Sequence, residues 1–341
     1  MFTGTRDFLA RCMHWSAATF LLDRLPPRNM LLVLVYHRIG NPNEDLFDPG
    51  VFSATGEQFS EQIRHLKRKV SLVTLEEAQA FVEGNLKDRT PQYRVLITFD
   101  DGYLDNYSVA FPILRAHDVQ GVFFLSTGLI GSDAVPWWDE IAFLVKTARK
   151  RQFALRYPAE MRINLGKEEL SGAIRKIMNL YKRTENEDPR RFIQELKEQA
   201  SAEDLPQTGR RFLNWDEAKS MIEGGMAIGS HCHSHSILSQ LQAEQQDFEL
   251  THSRALLTEK LGIGIDSIAY PVGIKSSFSA GTQDLARAAG YRIGFSYYGG
   301  TNALGQANTY NVKRTGVLAH HSSPRFKAQI SFCRTTGIYW P

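Results

Sequence analysis

The sequence is poor in cysteine, and the cysteines that it has are scattered. Only three of 341 residues are cysteine, at Cys12, Cys232 and Cys333. An odd number without a paired C-x-x-C spacing does not form a disulfide framework and argues against a zinc site built from thiolates. This usage favours a reducing compartment, and we therefore expect the protein in the cytoplasm.

The chain also lacks a strong net charge and a long apolar run. Lysine and arginine number 40 against 37 aspartates and glutamates, a net charge of +3, which argues against a partner that is nucleic acid. No segment approaches the ~18 to 20 apolar residues that cross a bilayer, so we expect no transmembrane span. With 43% hydrophobic and 23% charged residues, the composition excludes disordered, collagenous and coiled-coil proteins.

The amino-terminal residues carry only a faint likeness to a secretion signal. Two arginines precede the apolar stretch 15–22, but Asp23 and Arg24 follow directly, and no small-residue cleavage site is visible. We expect residues 1–29 to form a helical extension. Residues 1–25 either pack on the body of the protein or lie on a membrane surface, which would place a cytoplasmic protein at the inner membrane face.

Short apolar runs alternate with helical patterns along the chain. The runs are rich in Val, Ile, Leu and Phe without alternation, which is typical of strands buried on both faces. The alternation predicts an α/β fold with a largely parallel sheet, open or closed into a barrel, whose functional residues follow the strands. A helix is predicted over 57–69. The predicted strands are 31–36, 70–75, 95–99, 121–126, 226–230, 267–270 and 291–297.

One stretch, at about 143–211, interrupts this alternation. It is long, helical in pattern and dense in charges of both signs. We expect a helical insertion within one catalytic domain that spans 30–341. A run of mixed charges is usually a solvated face, so we assign the insertion no chemistry, although it could shape a substrate groove.

The first candidate site follows the strand predicted at 95–99. Asp100, Asp101 and Gly102 come directly after it, and near a strand end the chain can turn both carboxylates toward a common site. Two half-buried carboxylates both stay ionised only if a cation or hydrogen-bond donors compensate them, as a divalent metal would. Taken alone, Asp-Asp-Gly is more simply interpreted as a turn.

The second candidate site is a cluster of three histidines, His231, His233 and His235. The H-x-x-x-H spacing of the outer pair suits metal ligation, although surface histidines also account for such spacing. Two imidazoles and one carboxylate would leave an open metal position for water, and the second carboxylate could then act as a base. This combination predicts metal-assisted hydrolysis.

Together the two motifs resemble those of the polysaccharide deacetylases with a NodB-homology domain, carbohydrate esterase family 4. Residues 98–103 read TFDDGY, like the family's T-F-D-D-G signature, and residues 230–235 read SHCHSH, like S-H-[ST]-x-x-H. The resemblance runs from about residue 31 to the low 300s and leaves out the insertion. It implies a distorted (β/α) barrel and a hydrolase that removes acetyl groups from N-acetylated sugars of a polysaccharide, oligosaccharide or glycolipid.

The resemblance also implies roles for individual residues. Asp100 would be the general base, and Asp101, His231 and His235 would bind a divalent metal, most simply Zn²⁺, with Co²⁺, Ni²⁺ or Fe²⁺ as alternatives. Tyr103 would donate its backbone N–H to the oxyanion. The partner would be an acetylated glycan.

The sequence departs from the family pattern at two points. The family's R-x-P-[YF] element, whose arginine orients the catalytic aspartate, reads AYPV at 269–272 here, and Arg314 is the candidate to replace that arginine. The family's late L-x-H histidine, the general acid, is matched by the LAH that ends at His320. His321 and His37 are alternatives. A histidine without a catalytic role is an equally open interpretation for the two late positions, and a structural histidine at a strand end is one for His37.

Several residues are expected near the substrate or around the metal ligands. His233, at a non-ligand position, would support the metal ligands. The missing arginine leaves open a glycan-binding protein that has lost turnover, and an O-acetyl esterase is a further alternative. The candidates for contact with the sugar are Tyr103, Tyr270, Pro271 and Arg314, with Trp137 and Trp138 as candidates that are equally consistent with the core.

Overall fold

The computed structural model describes residues 22, 24–86, 90–183, 188–207, 209–305 and 308–338. Most of the helical extension predicted at 1–29, including the surface predicted to contact a membrane, lies outside these residues. The chain divides into two compact units. The first unit contains residues up to 40, 52–131 and 212 onward, and the second contains 41–51 and 132–211.

Strands and helices alternate along most of the described chain. The strands are β1 (Met30–Tyr36), β2 (Arg38–Ile39), β3 (Phe52–Ala54), β4 (Ser71–Leu72), β5 (Tyr93–Phe99), β6 (Gly121–Leu125), β7 (Gln152–Leu155), β8 (Met161–Asn164), β9 (Ala227–Ser230), β10 (Ser267–Ala269), β11 (Ile293–Phe295), β12 (Asn302–Ala303) and β13 (Arg314–Gly316). The helices are α1 (Gly56–Lys69), α2 (Leu75–Glu83), α3 (Phe111–Ala116), α4 (Trp137–Lys146), α5 (Leu170–Tyr181), α6 (Pro189–Ala200), α7 (Trp215–Glu223), α8 (Ala243–Leu261), α9 (Ala280–Ala288) and α10 (Ser323–Thr336).

The parallel strands of the first unit form a distorted barrel, which confirms the predicted fold. Their order is β11-β10-β9-β6-β5-β1, and β13 pairs with the other side of β1, with Val33 opposite Arg314. Just before β13, Val312 exchanges backbone hydrogen bonds with Gly294 and Ser296, on either side of the last β11 residue. The segment that ends in β13 therefore joins the last strand of the series to the first.

Side chains of the central strands are buried on both faces of the sheet. Every residue of β5 and β6 is buried, as is all of β1 after Met30. Alternate residues of β1 belong to different hydrophobic clusters, with Leu32 in one and Leu31 in the other. This two-sided burial is the reason that the strands read as continuous apolar runs.

Local capping explains where several helices begin. In α1, Thr55 and Gln58 cap each other's backbone N–H groups, and the helix confirms the one predicted at 57–69. Thr74 and Glu77 form the same capping box at the start of α2. The run at 70–75 was predicted as one strand. In the structure only Ser71 and Leu72 are strand residues, and the next helix is capped at Thr74.

The second unit combines helices with an antiparallel hairpin. Its helices are α4, α5 and α6, and β7 pairs with β8 in a sheet of two strands. Trp137 stacks on Tyr181 with ring centroids 4.4 Å apart, while Trp138 is buried. Both tryptophans thus pack within this unit. Among the described helices of either unit, none combines the length and apolar character that a membrane span requires.

Candidate active site

The site residues lie at the carboxyl ends of neighbouring barrel strands. Asp100 follows β5, and its backbone N–H donates to the carbonyl of Tyr36 at the end of β1. Asp101 then adopts a left-handed conformation with φ 75°, which turns the chain sharply. His235 is also left-handed, with φ 57°. Non-glycine residues rarely adopt this conformation, and such positions concentrate at functional sites.

Three predicted ligands converge in the structure. Nε2 of His231 lies 3.5 Å from Oδ1 of Asp101, and Nε2 of His235 lies 3.3 Å from the same oxygen. Nδ1 of His231 lies 2.6 Å from the carbonyl oxygen of Ala269. That carbonyl can only accept, so the proton is on Nδ1 and the lone pair of Nε2 faces Asp101.

The electrostatics of the three side chains suit a divalent cation. Burial lowers the pKa of His231 to about 4, so its imidazole is neutral and able to ligate. Burial opposes ionisation of Asp101, but His235 and smaller contributions from other histidines hold the pKa of its carboxyl well below the usual range. Oδ1 of Asp101 is buried and accepts no hydrogen bond from the described residues. An orphaned anionic oxygen between two imidazole nitrogens fits a metal ligand set.

Asp100 is held by an arginine that arrives from the far end of the sequence. Both terminal nitrogens of Arg314 donate to the two carboxylate oxygens at 2.7 Å, and Nε donates to the carbonyl of Ser296 at 3.0 Å. Burial by itself would raise the pKa of Asp100, but Arg314, helped by His231 and His37, keeps it below its ordinary value. Arg314 is fully buried. We expected Arg314 either to replace the missing family arginine or to contact the sugar, and in the structure its guanidinium is directed at Asp100, which favours the first role.

Among the candidate acids, the structure places His37 next to the carboxylates. Its charge lowers the pKa of both Asp100 and Asp101, and Asn106 fixes its backbone by donating to its carbonyl. His320 is an exposed turn residue whose ring lies 4.9 Å from that of His321. This position favours His37 over His320 as the group that faces the reacting atoms.

The two tyrosines expected to stack on a sugar are buried instead. Tyr103 is covered by the ring of Phe212, with centroids 4.8 Å apart. Tyr270 stacks on Phe278 at 4.3 Å and donates its hydroxyl to the carbonyl of Tyr310. Pro271 is buried beside it. We expected these side chains to face the sugar, and in the structure all three are buried; the backbone N–H of Tyr103 keeps its predicted role as a proposal.

Sequence reasoning missed Tyr297, whose ring centroid lies 5.8 Å from that of His37. Two glycines make room for it: a Cβ on Gly316 would lie 2.1 Å from the Tyr297 hydroxyl, and one on Gly273 would lie 2.7 Å from its backbone nitrogen. Gly273 is also left-handed, with φ 63°, which favours glycine. Tyr297 is the last residue of the strand predicted at 291–297, and this position at a strand end is the signal that could have identified it.

His233 and a second missed residue, Glu249, brace the loop between the histidine ligands. The carboxylate of Glu249 accepts the backbone N–H groups of His233 and Ser234 at 2.8 and 2.9 Å. Nδ1 of His233 lies 2.9 Å from the hydroxyl of Thr127, which follows β6. These contacts are of the kind that orient metal ligands from behind.

Comparisons with known proteins agree with this geometry. The family model for polysaccharide deacetylases matches residues 87–161 and 175–294. The match includes most of the segment 143–211, so the expectation that the insertion lies outside the resemblance is wrong.

The relatives are distant in sequence but cover most of the chain. The Bacillus subtilis protein YxkH, named as a polysaccharide deacetylase, is 22% identical over 302 residues, which are 88% of this chain and 76% of the relative. The Streptococcus pyogenes deacetylase PplD, solved with acetate, has a TM-score of 0.58 at 19% identity and covers 89% of this chain and 99% of its own. IcaB from Ammonifex degensii has a TM-score of 0.58 at 20% identity, with 92% and 100% covered.

Proposed function

Because the chain belongs to the polysaccharide deacetylase family, we propose that it removes the acetyl group from an N-acetylated sugar of a glycan by metal-assisted hydrolysis. Family and fold establish the coarser activity, deacetylation of glycans. The observation that carries the finer proposal is the convergence of Asp101, His231 and His235 beside an aspartate that Arg314 clamps.

Asp101, His231 and His235 are the residues that would hold the ion. A divalent ion bound there would polarise the acetyl carbonyl and make a bound water more acidic. Three nitrogen and oxygen ligands with an open position suit catalytic zinc, which we propose first, ahead of cobalt, nickel or iron.

Each further step falls to a residue of the chain. Asp100 accepts a proton from the attacking water, and Arg314 keeps that carboxylate ionised and aimed. The backbone N–H of Tyr103 donates to the oxygen that becomes negative as the water adds to the carbonyl. His37 delivers a proton to the leaving nitrogen, so that the products are acetate and a free amine.

Two further observations support this assignment and its setting. A neighbour of similar fold, PplD, was solved with acetate, which is the acid that the proposed reaction releases. Cys232 and Cys333, the two cysteines within the described residues, are buried and form no disulfide there, in keeping with a reducing compartment. We propose the cytoplasm, with residues 1–25 as the segment that would meet a membrane surface.

Acetate release tests the proposed reaction. Zinc-loaded native protein should release acetate from chitooligosaccharides or from bacterial lipid-linked or exopolysaccharide sugars, and Asp100→Asn should be slower by about 10² to 10⁴-fold because it lacks the base. O-acetylated sugars in parallel distinguish an esterase. If the native protein is no faster than Asp100→Asn on every acetylated glycan, the chain is a binding protein and the proposal fails.

Two histidine variants test the identity of the acid. His37→Ala should lower kcat at least about 100-fold, because the proton donor is gone. His320→Ala, its matched control on an exposed turn, should stay within about twofold of native. The reverse order of the two effects would return the role to His320.

A further inference from the structure

A groove beside the metal-binding loop has no part in the mechanism above. It lies between the residues that follow His235 and the first turns of α8, and it encloses about 380 Å³. Small-molecule sites occupy ~300 to 1,000 Å³, so the groove has room for a sugar unit. Its lining consists of Ser236, Leu241, Glu244, Gln245, Phe248 and Glu249.

One wall of the groove is an exposed aromatic ring. Phe248 is 52% exposed, and it stacks on His252, one helical turn later, at 4.8 Å with an angle of 10° between the rings. The ring of His233 stands perpendicular to that of His252 at 4.7 Å. The stacked pair holds the Phe248 ring as a firm flat surface, against which the apolar face of a pyranose ring can pack.

The polar part of the lining carries negative charge only. Glu244 and Glu249 are the two ionisable residues of the lining, and no lysine or arginine is among the lining residues. Glu249 is occupied with the backbone of the metal-binding loop, whereas Glu244 is exposed. The groove thus complements a ligand that combines a flat apolar face with a positive charge.

The groove adjoins the loop that carries the two histidine ligands. Ser236 directly follows the ligand His235, and its hydroxyl lies 2.6 Å from that of Ser234. Glu249 lines the groove and also holds the loop between the two histidine ligands. The groove and the candidate ligand set therefore share one loop.

We propose that this groove binds an amino-sugar unit of the same glycan that has already lost its acetyl group, with its ring on Phe248 and its ammonium group at Glu244. The inference rests on the proposed function, because removal of an acetyl group is what turns a neutral amide into an amine that is protonated near neutral pH. The enzyme would then favour partly deacetylated chains and act next to sugars that it has already processed.

Binding to two pentasaccharides tests the charge preference. The probes are the glucosamine pentamer and the N-acetylglucosamine pentamer, titrated calorimetrically into the full-length zinc-loaded protein at low salt and mildly acidic pH. The glucosamine pentamer should bind about three- to tenfold more tightly, and the preference should shrink at high salt because exposed charges are screened. Glu244→Gln should abolish the preference.

The control for Glu244 is on the same helix. Glu259 is 70% exposed beside Lys260 and lies ~22 Å further along α8 at 1.5 Å per residue. Glu259→Gln removes the same charge from the same helix, so it should keep the native preference. Equal binding of the two pentamers by the native protein, or an equal loss in both variants, would overturn the proposal.

Replacement of the ring tests the stacking surface. Phe248→Leu should weaken both pentamers about three- to tenfold, and Phe248→Trp should bind them like the native protein, because only the tryptophan keeps a flat aromatic face. Native binding by Phe248→Leu, or no binding of either pentamer to the native protein, sinks the proposal. None of these readouts needs acetate release: a charge preference without turnover would refute the proposed function and leave the groove assignment intact.

Discussion

Both units of the chain bury a pair of carboxylates next to an arginine, and the two clusters differ in how the charge is compensated. In the first unit, Arg314 donates to both oxygens of Asp100. In the second, Arg211 donates to Asp139, while the carboxylate of Asp48 accepts the backbone N–H of Gly50 in its own turn.

The pKa values follow this difference. Burial raises the pKa of Asp48 to about 6, with Asp139 adding to the effect and Lys146 opposing it. Asp100 is at least as buried, yet its pKa is lowered. Burial therefore accompanies opposite shifts of the two pKa values, and direct contact with the guanidinium of Arg314 is what separates Asp100 from Asp48. Asp100 is the carboxyl of the two that is held ionised down to lower pH.

Removal of Arg314 should have the largest effect, because it would leave the first cluster without its arginine. Arg314→Met leaves Asp100 buried without its partner, which should cost about 3 to 5 kcal/mol of unfolding free energy. Because the pKa of Asp100 should rise, the acid limb of the kcat/KM profile should move to higher pH. Chemical denaturation and a pH–rate profile measure both effects. Arg314→Met combined with Asp100→Asn should recover much of the stability but none of the activity, and an unshifted acid limb in Arg314→Met would refute the clamp.

Neutralisation of Asp48 should have the next largest effect on the free energy of unfolding, and it should raise that free energy, whereas removal of Arg314 lowers it. The native pKa of about 6 lies above the ordinary 3.8, so the folded protein binds the proton more tightly and stability falls as pH rises from about 4 to 6. Asp48→Asn removes that loss, which at neutral pH amounts to ~3 kcal/mol, and keeps an acceptor for Gly50. Hydrogen exchange of second-unit amides at several pH values measures it; a pH dependence equal to that of the native protein would contradict the assignment.

Binding of zinc at the first cluster should change the free energy of unfolding by a slightly smaller amount than neutralisation of Asp48. Zn²⁺ at a hundredfold excess over its Kd should stabilise the native protein by ~2.7 kcal/mol, since it binds the folded state. His235→Ala should lose this gain, whereas His252→Ala, a change to an exposed histidine on α8, should keep it. Denaturation with and without zinc gives both values. Full stabilisation of His235→Ala would remove His235 from the ligand set.

The sequence predicted those parts of the site that come from strand ends. Asp100 and Asp101 follow a buried strand of seven residues, and His231 follows a shorter one, and the apolar runs of both are visible without any structure. Arg314 belongs to a strand of three residues with no periodic signal, and its contact with Asp100 spans 214 positions. Only the late position of Arg314 after an apolar run suggested it as a site residue. Its contact with Asp100 became visible only in the three-dimensional structure, in which β13 lies beside β1.

The sequence predicted the burial of aromatic residues less well than it predicted the residues at the strand ends. Tyr103 and Tyr270 follow strands, as site residues do, but Phe212 and Phe278 arrive from other parts of the chain and cover them. The hairpin of β7 and β8 was missed for a local reason. Each strand has four residues, too few to stand out within a segment rich in charge. The position of a residue relative to a strand predicts where its backbone lies, whereas contacts with distant parts of the chain decide whether its side chain is buried.

The closing role of β13 has a consequence for the order in which the protein is made. The two metal-binding motifs are complete once the ribosome has passed residue 235, but the strand that carries the partner of Asp100 begins at Arg314. Until then β1 lacks its outer parallel neighbour, and the buried base has no counter-charge. Contacts of such long sequence separation form late. A nascent or truncated chain that ends before β13 would hold all three candidate ligands and still lack the arginine that faces Asp100.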